Sequence, residues 1–490
     1  MKRAGRSRYL RASSARRWNG TLHRVRLVLN PVGCRGNTGR FAFVAVLGAM
    51  LASSSVANAK GSLTKGPWVQ SVTSDSAVIR VEVDPPSPVS VELSGPTAGG
   101  SHSVVVSSEA RSFHAISLKG LLPSKSYTYS VRGPRGTKSA AFVTAPPDEG
   151  DAPFRFLVYG DNRTDDAAHA TLVRAMAAVS SDFLVHTGDF VEDGASSAQW
   201  ETFFEIEAPL LGTRSIFSAV GNHELTDGAG IAYARFFGPT VPPPGAEPSP
   251  ARSAGPTAKR PEHLRGSHRW GNTRFFFLNG MVSYQGTAER SWLEQELTKA
   301  DTEAGLKWRV VVVHHGPWSS GPHGKNARLH DAGIIPLLGA HKVDLVLSGH
   351  DHIYERGFSD GLAYVVSGGG GAPVYKVKSV LPPAKKVESV HHFVEVKVNA
   401  VSMQLAAVRA DGTTIERCAL NKGFTGWDCD QPAGDLSAAS SPSRASSPMA
   451  PSGARCGCDV VGGPATNHGA AVALATAAYL VRRRRASRRS

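Results

Sequence analysis

Five short apolar runs in this chain each stop at a side chain that can bind a metal ion. The runs cover residues 154–160, 182–188, 215–221, 308–313 and 343–349. The residues that follow them are Asp161, Asp189, Asn222, His314 and His350, with His352 two positions further on. Open α/β sheets place their binding crevices at the carboxyl ends of their strands. We therefore expect these six side chains to meet at one edge of a buried sheet.

The segment 152–430 alternates apolar strands with polar loops and amphipathic helices. Residues 167–179 and 288–299 both place apolar side chains at helical spacing. This alternation predicts an α/β domain. The proline-rich stretch 239–261 interrupts the domain, and we expect a surface loop insertion there because its composition cannot bury a core.

A different pattern occupies residues 61–147. The runs 77–83, 89–93, 103–106, 113–118 and 127–131 are short, with Pro, Gly and Ser between them. Such spacing predicts an antiparallel β-sandwich. The segment holds no cluster of His, Asp and Glu, so we expect a structural or positioning role for it.

The net charge of +15 belongs to the two ends of the chain. Residues 1–40 contain 11 Lys or Arg and residues 482–490 contain 6 Arg, with no acidic residue in either segment. Without these 17 positive charges, the other 441 residues carry a net charge of −2. This balance argues against nucleic acid as a partner of the folded part.

The N-terminal segment 1–59 has the features of a signal peptide with a long basic n-region. Its apolar stretch 41–52 has about the length of an h-region, and Ala57-Asn58-Ala59 forms an A-x-A cleavage signal. A buried core strand is the alternative for this stretch. Arg16-Arg17-Trp18 lacks the rest of a twin-arginine motif. We therefore expect export by the Sec pathway.

The C-terminal region predicts a linker and then a sorting or anchoring segment. Residues 431–458 are rich in Ser, Pro and Ala and end in Cys456-Gly457-Cys458. The apolar stretch 469–481 is shorter than the ~20 residues that cross a bilayer. With the arginine cluster 482–485, the segment 459–490 resembles the C-terminal sorting tag of exported myxobacterial proteins. The resemblance implies removal by a sorting protease, or attachment at a cysteine to the membrane or cell surface; a disordered tail is the alternative.

Cysteine usage fits an oxidising compartment. Cys418 and Cys429 lie 11 residues apart and predict one disulfide in an exported protein. Cys34 falls within the predicted signal peptide. No cysteine is near the candidate ligands in the sequence, which argues against a structural zinc–thiolate site.

Five short blocks carry a family resemblance. They read Gly160-Asp161, Gly188-Asp189, Gly221-Asn222-His223-Glu224, His314-His315 and Gly349-His350-Asp351-His352. In this order they resemble the five blocks of the calcineurin-like metallophosphoesterases. The string 349–356 (GHDHIYER), followed by 364–375 (YVVSGGGGAPVY), resembles the purple acid phosphatase group more closely.

The resemblance implies a fold and an activity. The fold would be a four-layer αββα metallophosphoesterase-type sandwich, preceded by a fibronectin III-like all-β sandwich. The activity would be hydrolysis of phosphate monoesters by metal-bound hydroxide at a binuclear centre. The alternatives are a phosphodiesterase or nucleotidase on the same scaffold, and a weakly active surface binding protein.

A binuclear centre needs a bridging ligand and two sets of further ligands. Asp189 would bridge two cations about 3.5–4 Å apart. Asp161 and His352 would complete the first metal position, and Asn222, His314 and His350 the second. Mixed imidazole and oxygen ligation suits two Fe, Zn or Mn ions and disfavours Ca or Mg.

Three histidines need separate interpretation. His223 would lie beside the bound phosphate as a transition-state stabiliser or proton donor. His323 lies in the loop 319–324 and would serve as a leaving-group acid, or as a solvated loop residue. His314 and His315 compete for one ligand position, and the family pattern His-His-x-Pro favours His314.

Two positions depart from the family pattern. Many members read Asp-x-His in the first block, whereas this chain reads Asp161-Asn162-Arg163. The plant and animal purple enzymes have a Tyr three residues after the bridging Asp, where this chain has Glu192. The first metal position therefore lacks one expected ligand. Glu192 would coordinate instead, or Arg163 would occupy the gap and clamp phosphate bidentately; a solvent-facing Arg163 is the third alternative.

Overall fold

The computed structural model describes residues 62–97, 100–134, 136–238 and 264–429. The signal peptide 1–59, the insertion 239–261, the linker 431–458 and the tail 459–490 lie outside these residues and stay predictions. Within the described part, no helix combines the length and the apolar character needed to span a bilayer.

Five antiparallel strands form the N-terminal sheet. They are β1 (Ser62–Gln70), β2 (Ser76–Thr97), β3 (Gly100–Lys119), β4 (Ser126–Gly133) and β5 (Gly136–Val143). The order along the sheet is β1-β2-β4-β5, and β3 also pairs with β2. The strands hydrogen-bond in one sheet, whereas the predicted sandwich has two. The predicted strands 77–83 and 89–93 are joined in β2, and 103–106 and 113–118 are joined in β3.

Prolines explain why the sequence pattern divided the long strand β2. Pro85, Pro86 and Pro88 lie inside it, where its pairing with β3 shifts register between Glu82 and Val89. A proline cannot donate to a strand ladder and is tolerated at such irregular places. β1 pairs with the part of β2 before the prolines, and β4 pairs with the part after them.

The rest of the described chain is built on two seven-stranded sheets. The strands of the first are β6 (Phe154–Tyr159), β7 (Phe183–His186), β8 (Ile216–Ser218), β16 (His392–Val398), β17 (Ser402–Arg409), β18 (Thr414–Asn421) and β19 (Asp428–Cys429). The strands of the second are β9 (Gly266–Trp270), β10 (Thr273–Leu278), β11 (Trp308–His315), β12 (Leu345–Gly349), β13 (Tyr354–Ser359), β14 (Leu362–Ser367) and β15 (Ala384–Glu388). Their orders are β19-β18-β17-β16-β6-β7-β8 and β15-β13-β14-β12-β11-β10-β9.

The two sheets pack face to face through alternate side chains of their strands. Phe156 of β6 and Phe183 of β7 meet Phe275 of β10 edge-on, with ring centroids 5.3 and 5.6 Å apart. Successive residues of a strand face opposite sides of the sheet, so the neighbours of these phenylalanines in each strand point to the outer layers.

Helices cover the outer face of each sheet. They are α1 (Asp166–Ala177), α2 (Ser197–Leu211), α3 (Ile231–Phe236), α4 (Ala288–Asp301), α5 (Ala327–Asp331) and α6 (Ile334–Ala340). Leu157 of β6 shares a buried cluster with Leu172 of α1, and Val311 of β11 shares another with Leu293 of α4. The result is the four-layer order helix, sheet, sheet, helix, and the two helices expected from the sequence are α1 and α4.

Parallel pairing brings the metal-ligand candidates to common edges. β6, β7 and β8 run parallel in the first sheet, and β10, β11, β12 and β14 run parallel in the second. Four of the candidates follow within four residues of the ends of β6, β7, β8 and β12, and His314 is the second-last residue of β11.

The disulfide predicted from cysteine spacing is confirmed. Cys418 of β18 and Cys429 of β19 are bonded and lie opposite each other in the strand register. This bond ties the short last strand to the edge of the first sheet.

Candidate metal centre

Three of the predicted ligands surround an atom of a fourth, Nε2 of His314. Oδ1 of Asp189 lies 3.3 Å from it, and Oδ1 of Asn222 lies 3.2 Å from it. Nδ1 of His350 is also 3.2 Å away. Oxygen and imidazole nitrogen donors from β7, β8, β11 and β12 thus converge on one small volume, which corresponds to the predicted second metal position.

Asp161 and His352 meet next to this group. Oδ1 of Asp161 lies 3.7 Å from Nε2 of His352 and 4.0 Å from Nε2 of His314. Both side chains are buried. They and Asp189 are the ligands predicted for the first metal position.

Three of these residues adopt a left-handed backbone conformation. The φ angles are +58° at Asp161, +60° at Asp189 and +69° at His350. Non-glycine residues seldom adopt positive φ, and such residues concentrate at functional sites where the surrounding structure holds them. The strand ends turn sharply here, which directs the side chains into the cluster.

Glycines of the same blocks leave room for these carboxylates. A Cβ at Gly221 would lie 2.1 Å from Oδ1 of Asp189, and a Cβ at Gly349 would lie 2.2 Å from Oδ2 of Asp161. Any larger residue at either position would displace a carboxylate. The glycines in the blocks are therefore explained by close packing against the ligands.

A buried carboxylate that sequence reasoning left without a role supports the loop after β7. Glu224 accepts hydrogen bonds from the backbone N–H of Asp189 at 2.9 Å, of Phe190 at 2.8 Å and of Gly221 at 2.9 Å. Burial, followed by the charge of Asp189, raises the pKa of Glu224 to about 7. The sequence shows Glu224 in the third block. It does not reveal the role of Glu224, because the partners are backbone N–H groups, which every residue except proline has.

Backbone carbonyls orient two of the imidazoles. A carbonyl only accepts, so the Nδ1–H of His314 donates to the carbonyl of Thr187, and that of His352 donates to the carbonyl of Pro373, each at 2.8 Å. These bonds leave Nε2 free to bind a metal, the usual arrangement around metal-ligating histidine. Nε2 of His352 is buried and makes no hydrogen bond in the described part of the chain. The donor set and this unpaired buried atom fit a transition-metal site.

Burial and mutual charge set the ionisation of the cluster. Burial raises the pKa of Asp189, but the charge of His314 and hydrogen bonds from His314 and His223 outweigh it and hold that pKa below its usual range. Burial lowers the pKa of His350 to about 2 and that of His352 to about 4. Both imidazoles are therefore neutral at ordinary pH, which is the form that binds metals.

His223 lies at the rim of the cluster. Its Nδ1–H donates to the carbonyl of Glu192 at 2.6 Å, and its Nε2 lies 3.8 Å from Oδ2 of Asp189. Its side chain is 20% exposed. A histidine with one nitrogen anchored and the other facing the ligands can exchange a proton with a substrate there.

Arg163, and not Glu192, is the side chain that reaches the ligands. Nε of Arg163 donates to Oδ2 of Asp189 at 3.2 Å, and its NH1 pairs with the carboxylate of Glu192. Glu192 is 47% exposed and also accepts from Thr164 at 2.7 Å. The structure does not bring Glu192 among the ligands because its carboxylate is engaged by Arg163 and Thr164. Burial lowers the pKa of Arg163, but the charges of Asp189 and Glu192 raise it overall.

The loop histidines occupy different places. His323 is 40% exposed, its Nδ1–H donates to Oδ1 of Asp351 at 2.8 Å, and its ring centroid lies 4.1 Å from that of His350. His315 directs its Nε2–H to the carbonyl of Gly324 at 3.2 Å. His314 is thus the one of the adjacent pair that enters the cluster, and His323 stands beside it at the surface.

Residues 154–354 match the family described as calcineurin-like phosphoesterase. The chain is similar to probable purple acid phosphatase 20 of Arabidopsis thaliana, with 27% identity over 241 residues, 48% of this chain and 53% of that protein. It is 28% identical to purple acid phosphatase 5 of the same plant over 250 residues, 50% of this chain and 54% of that protein. An uncharacterized protein of Mycobacterium tuberculosis is 27% identical over 318 residues, 54% of this chain and 56% of that protein. The chain spans about half the length of these curated relatives.

Solved structures show the same fold. Purple acid phosphatase PPD1 from yellow lupin (Lupinus luteus) seeds superposes with a TM-score of 0.59 at 19% identity, covering 72% of this chain and 74% of that chain. The structure of PhoD gives a TM-score of 0.57 at 13% identity, covering 75% and 92%. At these identities the likeness concerns the fold alone. Residues 154–354 thus match the calcineurin-like phosphoesterase family, as the five blocks predict, and the similarity to purple acid phosphatases supports the predicted class of phosphoric ester hydrolase.

Proposed function

We propose that this protein is a metal-dependent phosphatase that hydrolyses phosphate monoesters. The observation that carries the proposal is the convergence of oxygen and imidazole donors around Nε2 of His314, at distances of 3.2 to 3.3 Å. The named purple acid phosphatases among the similar proteins support the same reaction class.

Asp189 would be shared between two metal positions, with Asp161 and His352 at the first and Asn222, His314 and His350 at the second. Fe, Zn or Mn suits this mixture of donors. Metal ions held there supply Lewis-acid activation of water and neutralise phosphate oxygens.

Side chains at the rim would handle the substrate. Nε of Arg163 is engaged by Asp189 and NH1 by Glu192, and the N–H groups of NH2 can bind phosphate oxygens. His223, with its Nδ1–H anchored, would stabilise charge on the transferring phosphoryl group. His323, held by Asp351, would protonate the leaving alkoxide.

We also propose that the protein is exported by the Sec pathway and stays at the cell surface or is secreted. The basic and apolar segments of residues 1–59 support export, and the Cys418–Cys429 disulfide fits an oxidising compartment. Fractionation of cells expressing the full chain tests this. Protein confined to the cytoplasm with residues 1–59 still attached would contradict it.

The proposed reaction is tested with purified protein loaded with Mn, Fe or Zn and assayed on aryl phosphate monoesters and diesters across pH. We expect faster turnover of the monoester, and Asp189→Ala should lose both metal and activity. Faster turnover of the diester would favour the phosphodiesterase alternative. Activity on neither ester with metal bound would favour a surface binding protein.

A further inference from the structure

We infer that the two metal positions are unequal. The second position, at Asn222, His314 and His350, binds its ion tightly. At the first position, the guanidinium of Arg163 supplies positive charge in place of a metal ion, so an ion binds there weakly. The inference rests on the proposed metal-dependent function and specifies how many metal ions that function uses.

The two oxygens of Asp189 face different partners. Oδ1 lies 3.3 Å from Nε2 of His314, among the ligands of the second position. Oδ2, the oxygen left for the first position, accepts a hydrogen bond from Nε of Arg163 at 3.2 Å. An ion at the first position would have to share Oδ2 with a guanidinium.

Arg163 is held in this place by two acidic side chains, Asp189 and Glu192. Its side chain is only 14% exposed, and its NH1 pairs with Glu192, which is held in turn by Thr164. Thr164 has a φ of +84°, so the chain next to Arg163 turns through a conformation rare for threonine. A guanidinium cannot lose its proton in a protein, so the charge is permanent.

The first position also has fewer donors than the second. Asp161 and His352 supply one carboxylate and one imidazole besides the shared Asp189. The side chains at positions 163 and 192, where the family pattern places a further ligand, are instead a fixed cation and the carboxylate paired with it. Ligand atoms of Asp189, His314 and His350 lie within 4.8 Å of one another, and two of these residues, His314 and His350, belong to the second position alone.

Mn²⁺ titration of the chelator-stripped full chain tests the inference, with bound metal measured by elemental analysis and by electron paramagnetic resonance. We expect the wild type to bind one equivalent with a mononuclear spectrum, and a second equivalent about tenfold or more weakly, because like charges a few ångströms apart repel. Arg163→Gln removes the charge and leaves a shorter, neutral polar side chain, so it should tighten the second equivalent and produce a spin-coupled spectrum. Arg163→Lys keeps the charge and should behave as the wild type.

Three results would overturn the inference: two equivalents of equal affinity in the wild type, no difference between Arg163→Gln and the wild type, or no uptake of Mn²⁺. Thermal unfolding followed by circular dichroism verifies that both variants are folded. One tightly bound ion without activity on any ester would instead defeat the proposed phosphatase function and leave the metal count standing.

Discussion

At the scale of single residues, three acidic side chains of the centre have different roles because their surroundings differ. Asp189 is buried among histidines and stays ionised. Glu224 is buried among backbone amides and fixes the loop that carries Asp189. Glu192 is half exposed and holds Arg163. The same functional group is thus a predicted metal ligand in Asp189, a structural support in Glu224 and a counter-ion in Glu192.

His223→Ala should keep metal binding and lower kcat by about 10²–10⁴-fold, the range typical of a general acid–base group. His223 makes no side-chain contact shorter than 3.8 Å to Asp189, so its removal leaves the ligands in place. Single-turnover kinetics with metal analysis checks this. Unchanged kcat would remove His223 from the mechanism.

Glu224→Ala should destabilise the protein, because the buried N–H groups of Asp189, Phe190 and Gly221 lose their acceptor. The expected cost is about 1–3 kcal/mol for each buried amide left unpaired. Urea unfolding measures it, and Glu201→Ala, at a side chain 53% exposed, is the matched control. Equal stability of the two variants would contradict the role given to Glu224.

At the scale of elements, the ends of the buried strands carry the residues of the site, and a disulfide holds the strand at one edge of the first sheet. β6, β7, β8, β11 and β12 are short and almost wholly apolar, so they are buried on both faces and deliver polar residues only where they end. β19 has two residues, and its disulfide with β18 adds a covalent link to its pairing.

Removal of this disulfide by Cys418→Ser with Cys429→Ser should lower the free energy of unfolding by about 2–4 kcal/mol, because the bond restricts the unfolded chain. Metal uptake should persist, since neither cysteine contacts the predicted ligands. Denaturant unfolding checks the first expectation and elemental analysis the second. Wild-type protein treated with reductant should match the double variant; a variant as stable as the oxidised wild type would show that the bond contributes nothing.

At the scale of the whole molecule, the N-terminal sheet and the phosphoesterase domain form one packed body within residues 59–490. Trp68 of β1 packs on Phe204 of α2 with ring centroids 4.6 Å apart. Arg80 of β2 is buried, and its guanidinium donates to the carbonyl of Phe236 at 2.6 Å. The N-terminal sheet therefore supports the helix layer behind β6 and β7 and is not a separately tethered module.

Trp68→Ala should destabilise the whole body by about 3–5 kcal/mol, the cost of truncating a large buried aromatic side chain. Because the two parts share this core, calorimetry should show a single transition that moves to lower temperature. Val401→Ala, at a side chain 65% exposed, should leave it unchanged. Two separate transitions, with only one of them shifted, would show that the parts unfold independently.

Much of the site could be predicted because metal ligation restricts residue types and strand ends restrict their positions. Asp161, Asp189, Asn222, His314, His350 and His352 converge as expected, although whether they bind metal stays a prediction. The sequence could not show whether Arg163 or Glu192 contacts Asp189. Both are charged loop residues, and their positions depend on backbone segments far apart in the sequence. The single N-terminal sheet was also missed. Prolines usually indicate the end of a strand, but those in β2 lie where its pairing with β3 shifts register, and the strand continues past them.

The sequence by itself determined which chemical groups stand at the strand ends, because burial of apolar runs leaves few places for Asp, Asn and His. Only the tertiary structure decided which charge faces which oxygen of Asp189. The pairing depends on how the loops of the two sheets pack against one another, to within about the length of one hydrogen bond. No local pattern of residues encodes that packing.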